Sequence, residues 1–220
     1  FSHWEAYNFL KSAFEILNSQ PDTTEVKKEK QRILLLMITP LSFLGLPDGI
    51  LEIYESGEKI SKELEDSKSV SKFYMCLSTY HSLRGKPNLA IKYAEGAFEE
   101  AKKNNDLELM VDSSLVLAIA YTPVGEYQKS IDLLSDVISQ IEKEDRKHDF
   151  FSCPMVPYSF LCVYGGIAMG NLGFFKNAKE SNFDVEHLIM DELKMHGEEP
   201  PKSIAESMKK SNLIIGLTSF

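Results

Sequence analysis

Apolar residues recur along most of the chain every three or four positions, which is the spacing of one helix face. Within 87–104, for example, Leu89, Tyr93, Ala97 and Ala101 fall on one side. No Asn-Gly or Asp-Gly pair separates two alternating apolar runs, so no hairpin is predicted. The pattern predicts an all-α chain of about ten helices, at 3–19, 25–45, 48–65, 69–84, 87–104, 107–124, 126–145, 157–173, 175–195 and 201–216.

Glycine marks the junction between paired helices at a regular interval. Gly45, Gly85, Gly125 and Gly173 are separated by 40, 40 and 48 residues. A fixed period of this size, with two helices per unit, is typical of a solenoid. We therefore predict one helical-repeat domain over 1–220, a right-handed superhelix of antiparallel helix pairs. The predicted pairs are 25–66, 69–105, 107–146 and 155–195.

The two ends of the chain depart from the complete pairs. Ala6, Leu10 and Ala13 have the spacing of a second helix whose first helix is missing, so 1–20 is predicted to be part of a truncated repeat. We expect an exposed apolar edge there, and we expect the chain to be a fragment of a longer protein. A terminal helix at 201–217 is either a cap or the start of another repeat. Exposed apolar ends predict a homodimer.

Around Gly125 the chain resembles the tetratricopeptide repeat family. The small-and-large pattern of that family is matched by Leu117, Ala118, Tyr121, Gly125 and Tyr127. The period of 40 exceeds the family's 34 residues, so the helices should be longer. The resemblance implies a stack of helix pairs that binds other proteins.

A wider resemblance covers roughly residues 4–190. The runs WEAYNFLKSAFEILNSQPDTTEVKKEKQRILL and CPMVPYSFLCVYGGIAMGNLGFFKNA are similar to the long-repeat segment of large signalling ATPases. In those proteins the repeats follow a nucleotide-binding domain, often with a nucleotide cyclase or protein kinase domain in front. The resemblance implies that this chain is the regulatory arm of a larger signalling protein.

The net charge and the number of cysteines limit the classes of binding partner and the cellular compartment that we expect. The net charge of −9 argues against nucleic acid, whose binding needs a basic face. Three cysteines, Cys76, Cys153 and Cys162, are far apart and odd in number, which predicts a reducing, cytoplasmic setting. The uncharged stretch 152–175 is long enough to span a bilayer, but its prolines and glycines favour packed helices, so no membrane contact is predicted.

Sequence motifs for catalysis and cofactor binding are missing. There is no GxxxxGK[ST], HExxH or GxSxG motif, and no basic residue adjoins Cys76 or Cys162. His81 occupies a repeat position where a packed core side chain is expected. We predict no catalytic residue, no metal site and no cofactor, so any enzyme activity would belong to other domains.

The first helix of each pair is expected to line the concave surface of the stack. Counting back from the glycines predicts the groove residues Arg32, Leu35, Thr39, Lys72, Met75, Thr79, Asp112, Leu115 and Ile119, followed by Phe160, Val163 and Ile167. Only Arg32 and Lys72 are basic, which is too few for a clamp on a terminal carboxylate. The apolar remainder favours a protein or peptide partner, such as an amphipathic helix or a neighbouring domain of the same chain. The alternative is an effector-sensing module that binds a peptide or small molecule in the groove.

Overall fold

A computed structural model describes residues 2–45, 47–151 and 156–177 of the 220-residue chain. These residues form helices and turns, with no strand among them. The helices are α1 (His3–Asn18), α2 (Thr24–Leu44), α3 (Ile50–Glu63), α4 (Ser67–Leu83), α5 (Pro87–Lys103), α6 (Leu107–Tyr121), α7 (Tyr127–Lys143) and α8 (Pro157–Asn171), with a 3-10 turn at Thr122–Val124. The prediction of an all-α helical-repeat fold is confirmed.

The helix ends follow local capping chemistry. Ser2 and Glu5 form the reciprocal capping box that opens α1. Thr23 and Asp66 accept amide hydrogens at the starts of α2 and α4. The main departure from the predicted bounds is at 107–124, where the α-helix ends at Tyr121 and a 3-10 turn containing Pro123 follows.

The turns repeat as regularly as the helices. Gly45, Gly85, Gly125 and Gly173 all have positive φ, between 67° and 85°, as tight reversals require. A second set of left-handed residues has the same period of 40. It comprises the non-glycine residues Glu65, Asn105 and Asp145, with φ between 48° and 55°. The amide after each one donates to the carbonyl five residues earlier, at 2.9–3.2 Å, as in a Schellman motif.

The chain groups into two compact units, Phe1–Ala120 and Tyr121–Phe220. In the first unit, α1 packs on α2, α2 on α3, α3 on α4, and α4 on α5. Its main core cluster contains the buried residues Tyr7, Ile33, Leu34, Met37, Leu41, Ile50, Tyr54, Phe73 and Leu77. A smaller cluster of Ala101, Leu109 and Met110 joins α5 to α6. The prediction of one continuous domain over 1–220 stays a prediction.

Small residues let α5 lie close to α4. Ala90, Ala94, Ala97 and Ala101 are all fully buried along one face of α5. The hydroxyl of Ser71 on α4 donates to the Ala97 carbonyl at 2.9 Å, which requires close backbone approach. This small-residue face is the packing that the repeat pattern predicts.

In the second unit, α7 packs on α8. Leu134, Val137 and Ile141 of α7 are buried. The Tyr158 hydroxyl at the start of α8 donates to Glu142 Oε1 at 2.7 Å, and Lys147 Nζ lies 2.9 Å from the same oxygen. The predicted helix at 201–217 and Cys153 lie outside the described residues, as does most of the predicted helix at 175–195.

Candidate functional site

The predicted groove residues of α2, α4 and α6 occupy three recurring positions. In each helix, these positions lie thirteen, ten and six residues before the glycine that follows it, which is Gly45, Gly85 or Gly125. All nine lie in the first unit. The first position holds Arg32, Lys72 and Asp112. The second holds Leu35, Met75 and Leu115, and the third holds Thr39, Thr79 and Ile119.

The structure divides these residues by exposure. All three residues at the third position are exposed, as are Arg32 and Lys72 at the first, whereas Asp112 is half-buried. The middle position is different, because its side chains are half-buried between helices. Leu35 packs against the main core cluster and Met75 against the smaller one. The middle position therefore stabilises the stack and offers little surface to a partner, whereas the outer positions remain largely accessible.

The first half of α2 and α4 carries the positive charge of this surface. Arg32 Nε donates to Glu29 Oε2 at 2.9 Å, so that cation is partly neutralised within its own helix. Lys72 makes no ion pair with any other described residue. One turn earlier, Lys68 lies 2.7 Å from Asp106 and lowers the pKa of that carboxyl. Lys72 is thus the cation best placed to attract an acidic group.

Two hydroxyl groups near the ends of these first helices donate to carbonyls of their own helix. Thr79 Oγ1 donates to the Met75 carbonyl at 3.0 Å, and Ser42 Oγ donates to the Ile38 carbonyl at 2.8 Å. A hydroxyl that is bonded back to its helix has less need of an external partner. Ser42 and Thr79 therefore present mainly their carbon atoms to a partner.

Two large apolar residues were missed by the sequence prediction. Phe43 is 68% exposed and Leu83 is 67% exposed, each two residues before its glycine. Their equal distance from the two glycines was the sequence signal by which they could have been predicted. We define the open face as the exposed residues at the first and third recurring positions together with these two apolar residues. It comprises Arg32, Thr39 and Phe43 of α2, Lys72, Thr79 and Leu83 of α4, and Ile119 of α6.

In the second unit, α8 carries the remaining groove predictions. Phe160 and Val163 are half-buried, and Ile167 is exposed. Cys162, on the same helix, is buried. The prediction that these residues continue a groove stays a prediction.

The chemistry-bearing side chains sit in packed surroundings. Burial raises the pKa of the Cys76 thiol to about 12, and the thiol is hydrogen-bonded to Tyr54. His81 is buried and stacks on Tyr93, as expected of a core residue. Among the described residues, no three His, Cys, Asp or Glu side chains cluster to hold a metal ion. The absence of catalysis and of cofactors stays a prediction.

One helical stretch has the composition of a membrane span. Among the described residues, Leu107–Val124 is long and apolar enough to cross a bilayer, with a mean hydropathy of 1.4, and half of it is buried within the protein. A core helix meets the same criteria. The prediction that the chain has no membrane contact stays a prediction.

Comparison with known proteins identifies the fold. No protein-family model matches the chain, and no curated protein is detectably similar in sequence. A kinesin light chain-like protein of Podosopora anserina, with nearly identical TPR-like repeats, has a TM-score of 0.66 at 18% identity, over 86% of this chain and 88% of that one. A single-residue variant of that protein has a TM-score of 0.61 at 18% identity, over 87% and 89%.

A third solved structure extends the comparison to another organism. BtubC (BKLC) from P. vanneervenii has a TM-score of 0.70 at 16% identity, over 90% of this chain and 76% of that one. At such low identity the similarity concerns the fold. The resemblance to tetratricopeptide repeats is thereby confirmed at that level. By its fold, this chain is a tetratricopeptide-like helical-repeat protein.

Proposed function

We propose that this protein is a binding scaffold whose open face holds a segment of another protein or of a neighbouring domain. The observation that carries the proposal is the exposure of matching repeat positions on successive helices. Thr39, Thr79 and Ile119 share one position and are all exposed, as Phe43 and Leu83 are at another. A regular exposed surface on a rigid helical stack is what repeat proteins use for binding.

The open face favours a partner that combines acidic and apolar groups. Lys72 lies in the first half of α4 and Leu83 at its end. At 1.5 Å per residue, these two residues are about 16 Å apart along the helix axis. An extended peptide spans that distance in about five residues. The preferred ligand is therefore a segment with Asp or Glu some five positions from a large apolar side chain.

A peptide-selection experiment tests this proposal. The purified chain is immobilised and exposed to a random peptide library, and the retained peptides are sequenced. We expect enrichment of peptides with the acidic and apolar residues at that separation. Lys72→Glu should shift the charged position from acidic to basic residues, because the charge that it contacts is reversed.

The matched control is Lys92→Glu, at an exposed position on α5 outside the open face. This variant should retain the wild-type peptide preference. The proposal would be refuted if the retained peptides showed no preference for acidic residues, or if Lys92→Glu changed the peptide preference as much as Lys72→Glu does. Leu83→Asp should independently remove the preference for an apolar residue.

We also propose that the scaffold is a regulatory arm of a larger, cytoplasmic signalling protein, without catalysis of its own. The support is the similarity of residues 4–190 to the long-repeat segment of signalling ATPases. The full reading frame tests it, since an ATPase, cyclase or kinase domain is expected in the same chain. The alternative, effector sensing, predicts that a small molecule competes with the selected peptides for the open face.

A further inference from the structure

Four aromatic rings lie one beside the next where α4 packs against α5. Tyr93 of α5 lies between Tyr74 and His81 of α4, with ring centroids 5.6 and 5.5 Å away. Tyr80 adjoins His81, with the ring centroids 5.3 Å apart. Tyr93 is half-buried, so part of its ring is accessible to a partner. We call these four residues the aromatic row.

Each end of the aromatic row holds a cation that the chain itself supplies. Lys62 Nζ lies 5.2 Å from the ring centroid of Tyr74 and 2.7 Å from Glu58 Oε1. At the other end, the guanidinium of Arg84 lies 5.4 Å from the ring centroid of Tyr80. A positive group is attracted to the negative face of an aromatic ring. The ends of the row therefore already have the cations that such rings favour.

The middle of the row has a carboxylate but no cation over the Tyr93 ring from any described lysine or arginine. A three-residue turn joins α3 to α4, so these two helices run antiparallel. A step back along α3 from Glu58 to Glu55 therefore leads toward the His81 end of α4. Glu55 is exposed and forms no ion pair or hydrogen bond with another described residue. Its carboxylate is available to an external group.

The electrostatics of this position favour a positive group. Burial, followed by the carboxylates of Glu58 and Glu55, raises the pKa of Tyr93. Burial and Lys86 lower the pKa of His81, and Glu55 opposes that change. Both effects place the Glu55 carboxylate close to the two rings, because exposed charges more than about 10 Å apart are largely screened. A negative charge that disfavours a phenolate at Tyr93 favours a cation there.

The next repeat supplies its own cation at the matching ring. Tyr121 follows His81 by 40 residues, and Lys129 Nζ lies 5.8 Å from the centroid of the Tyr121 ring. Forty residues before Lys129 stands Leu89, which carries no charge. The repeat that contains His81 therefore lacks the lysine that its neighbour has, and it has the unpaired Glu55 instead.

We propose that the Glu55 carboxylate and the Tyr93 ring together bind an arginine side chain of a partner protein. A planar guanidinium can lie against an aromatic ring while its N–H groups donate to a carboxylate, a geometry that an ammonium group does not match. The bound arginine neutralises Glu55 and covers the accessible part of Tyr93. The site shares no residue with the open face and takes a ligand of the opposite charge, so each proposal can fail without the other.

Peptide titrations followed by NMR test this site. The full chain is titrated with acetyl-Gly-Arg-Gly-amide and with the same peptide carrying citrulline, which has nearly the shape of arginine without its charge. We expect the arginine peptide to shift the ring resonances of Tyr93, with a dissociation constant on the order of millimolar. The citrulline peptide should leave them unchanged. An equal response to both peptides, or none to arginine up to about 10 mM, would overturn the proposal.

A substitution at Glu55 identifies the group that holds the cation. Glu55→Gln keeps the size of the side chain and should weaken binding of the arginine peptide by about two- to fivefold, as expected of an exposed charge pair. The matched control is Glu15→Gln, at an exposed glutamate of α1, which changes the net charge by the same amount and should leave the affinity unchanged. An equal loss in both variants would show unspecific attraction to an acidic protein and would contradict the proposed site.

Substitutions at Tyr93 test the contribution of the ring. Tyr93→Phe retains the ring and should bind as the wild type does, whereas Tyr93→Leu should bind about two- to fivefold more weakly. The matching positions of the neighbouring repeats hold Ile53 and Leu133, both half-buried, so an aliphatic residue fits this position in a folded helix. Circular dichroism checks that the leucine variant is folded, and the Glu55→Gln titration decides the proposal if it is not. Full affinity in a folded Tyr93→Leu chain would rule out the aromatic contact.

Discussion

The imidazole of His81 lies flat against the ring of Tyr93, with centroids 5.5 Å apart and planes inclined by 11°. His81 is 6% exposed, and its Nδ1 atom has no hydrogen-bond partner among the described residues. Burial lowers the pKa of His81 below 6.5, Lys86 lowers it further, and Glu55 opposes the change. The folded chain therefore holds this imidazole neutral.

We expect the chain to lose stability as the pH falls below 6.5, the ordinary pKa of histidine. The unfolded chain takes up the proton first, so protonation favours unfolding until the lower pKa of the folded state is passed. His81→Phe keeps the ring stack but cannot be protonated. Its melting temperature should therefore vary less than that of the wild type between about pH 8 and 5.5. His148→Phe, at an exposed histidine, should retain the wild-type dependence.

Gly57→Ala should destabilise the first unit by about 1–3 kcal/mol. A Cβ at position 57 would overlap the ring of Phe73, which is fully buried and cannot move aside. Gly96→Ala is the matched control. Its Cβ would lie 2.9 Å from the half-buried ring of Tyr74, which can shift, and the helix propensity of alanine offsets the strain.

Urea unfolding compares these two glycine variants. The single tryptophan, Trp4, lies on α1 in the first unit and provides the fluorescence signal. A Gly96→Ala chain that loses as much stability as Gly57→Ala would contradict the packing argument.

Removing the side-chain amide of Gln31 should cost about 1–3 kcal/mol, because a buried hydroxyl loses its partner. Gln31 Nε2 donates to Ser61 Oγ at 3.1 Å and to Asp66 Oδ2 at 3.0 Å, joining α2 to α3 and to the start of α4. Gln31→Leu and Ser61→Ala together should cost less than the sum of the two single changes. Gln128→Leu, which removes an exposed amide bonded to Asp132, should have little effect. Additive costs would show that the two side chains do not interact.

Tyr158→Phe should destabilise the second unit by about 1 kcal/mol. The hydroxyl that it removes donates to Glu142 and is the largest cause of the lowered pKa of that carboxyl, followed by Lys147. The contribution is present above 4.5, the ordinary pKa of glutamate, and is lost as the pH falls. Wild type and variant should therefore converge in acid.

Hydrogen exchange of the α7 and α8 amides measures the Tyr158 effect within the second unit. Tyr127→Phe, at a half-buried tyrosine that begins α7, is the control and should leave exchange nearly unchanged. A Tyr158→Phe effect that persists undiminished in acid would contradict the link to Glu142.

Local signals sufficed to predict the helices and their glycine turns. Capping at Ser2 and reversal at Gly85 depend on residues within one turn of each other, so pattern reading captures them. The left-handed residue Glu65 gave no such signal, because side chains at positive φ are uncommon outside glycine, whereas Asn105 belongs to a residue type that adopts positive φ more often. Only the repeat of the backbone geometry reveals their role.

The candidate binding residues stay a prediction, and those of the middle position are half-buried in the structure. Leu35 and Met75 were assigned to the groove, yet both pack against core clusters. Their exposure depends on how closely the next helix approaches. That distance cannot be predicted from the spacing of apolar residues in a single helix. Phe43 and Leu83 were overlooked because in the last turn of a helix, two residues before the glycine, a large apolar side chain is as easily buried as exposed.

By itself, the sequence determined which segments are helical, where they reverse and with what period, because these depend on neighbours in the chain. Only the tertiary structure decided which apolar residues are core and which are surface. Phe73 is fully buried because Gly57 leaves room for its ring, whereas Phe9 and Phe43 are largely exposed. Burial is a property of helices that meet in space, and three phenylalanines with similar local patterns therefore have different environments.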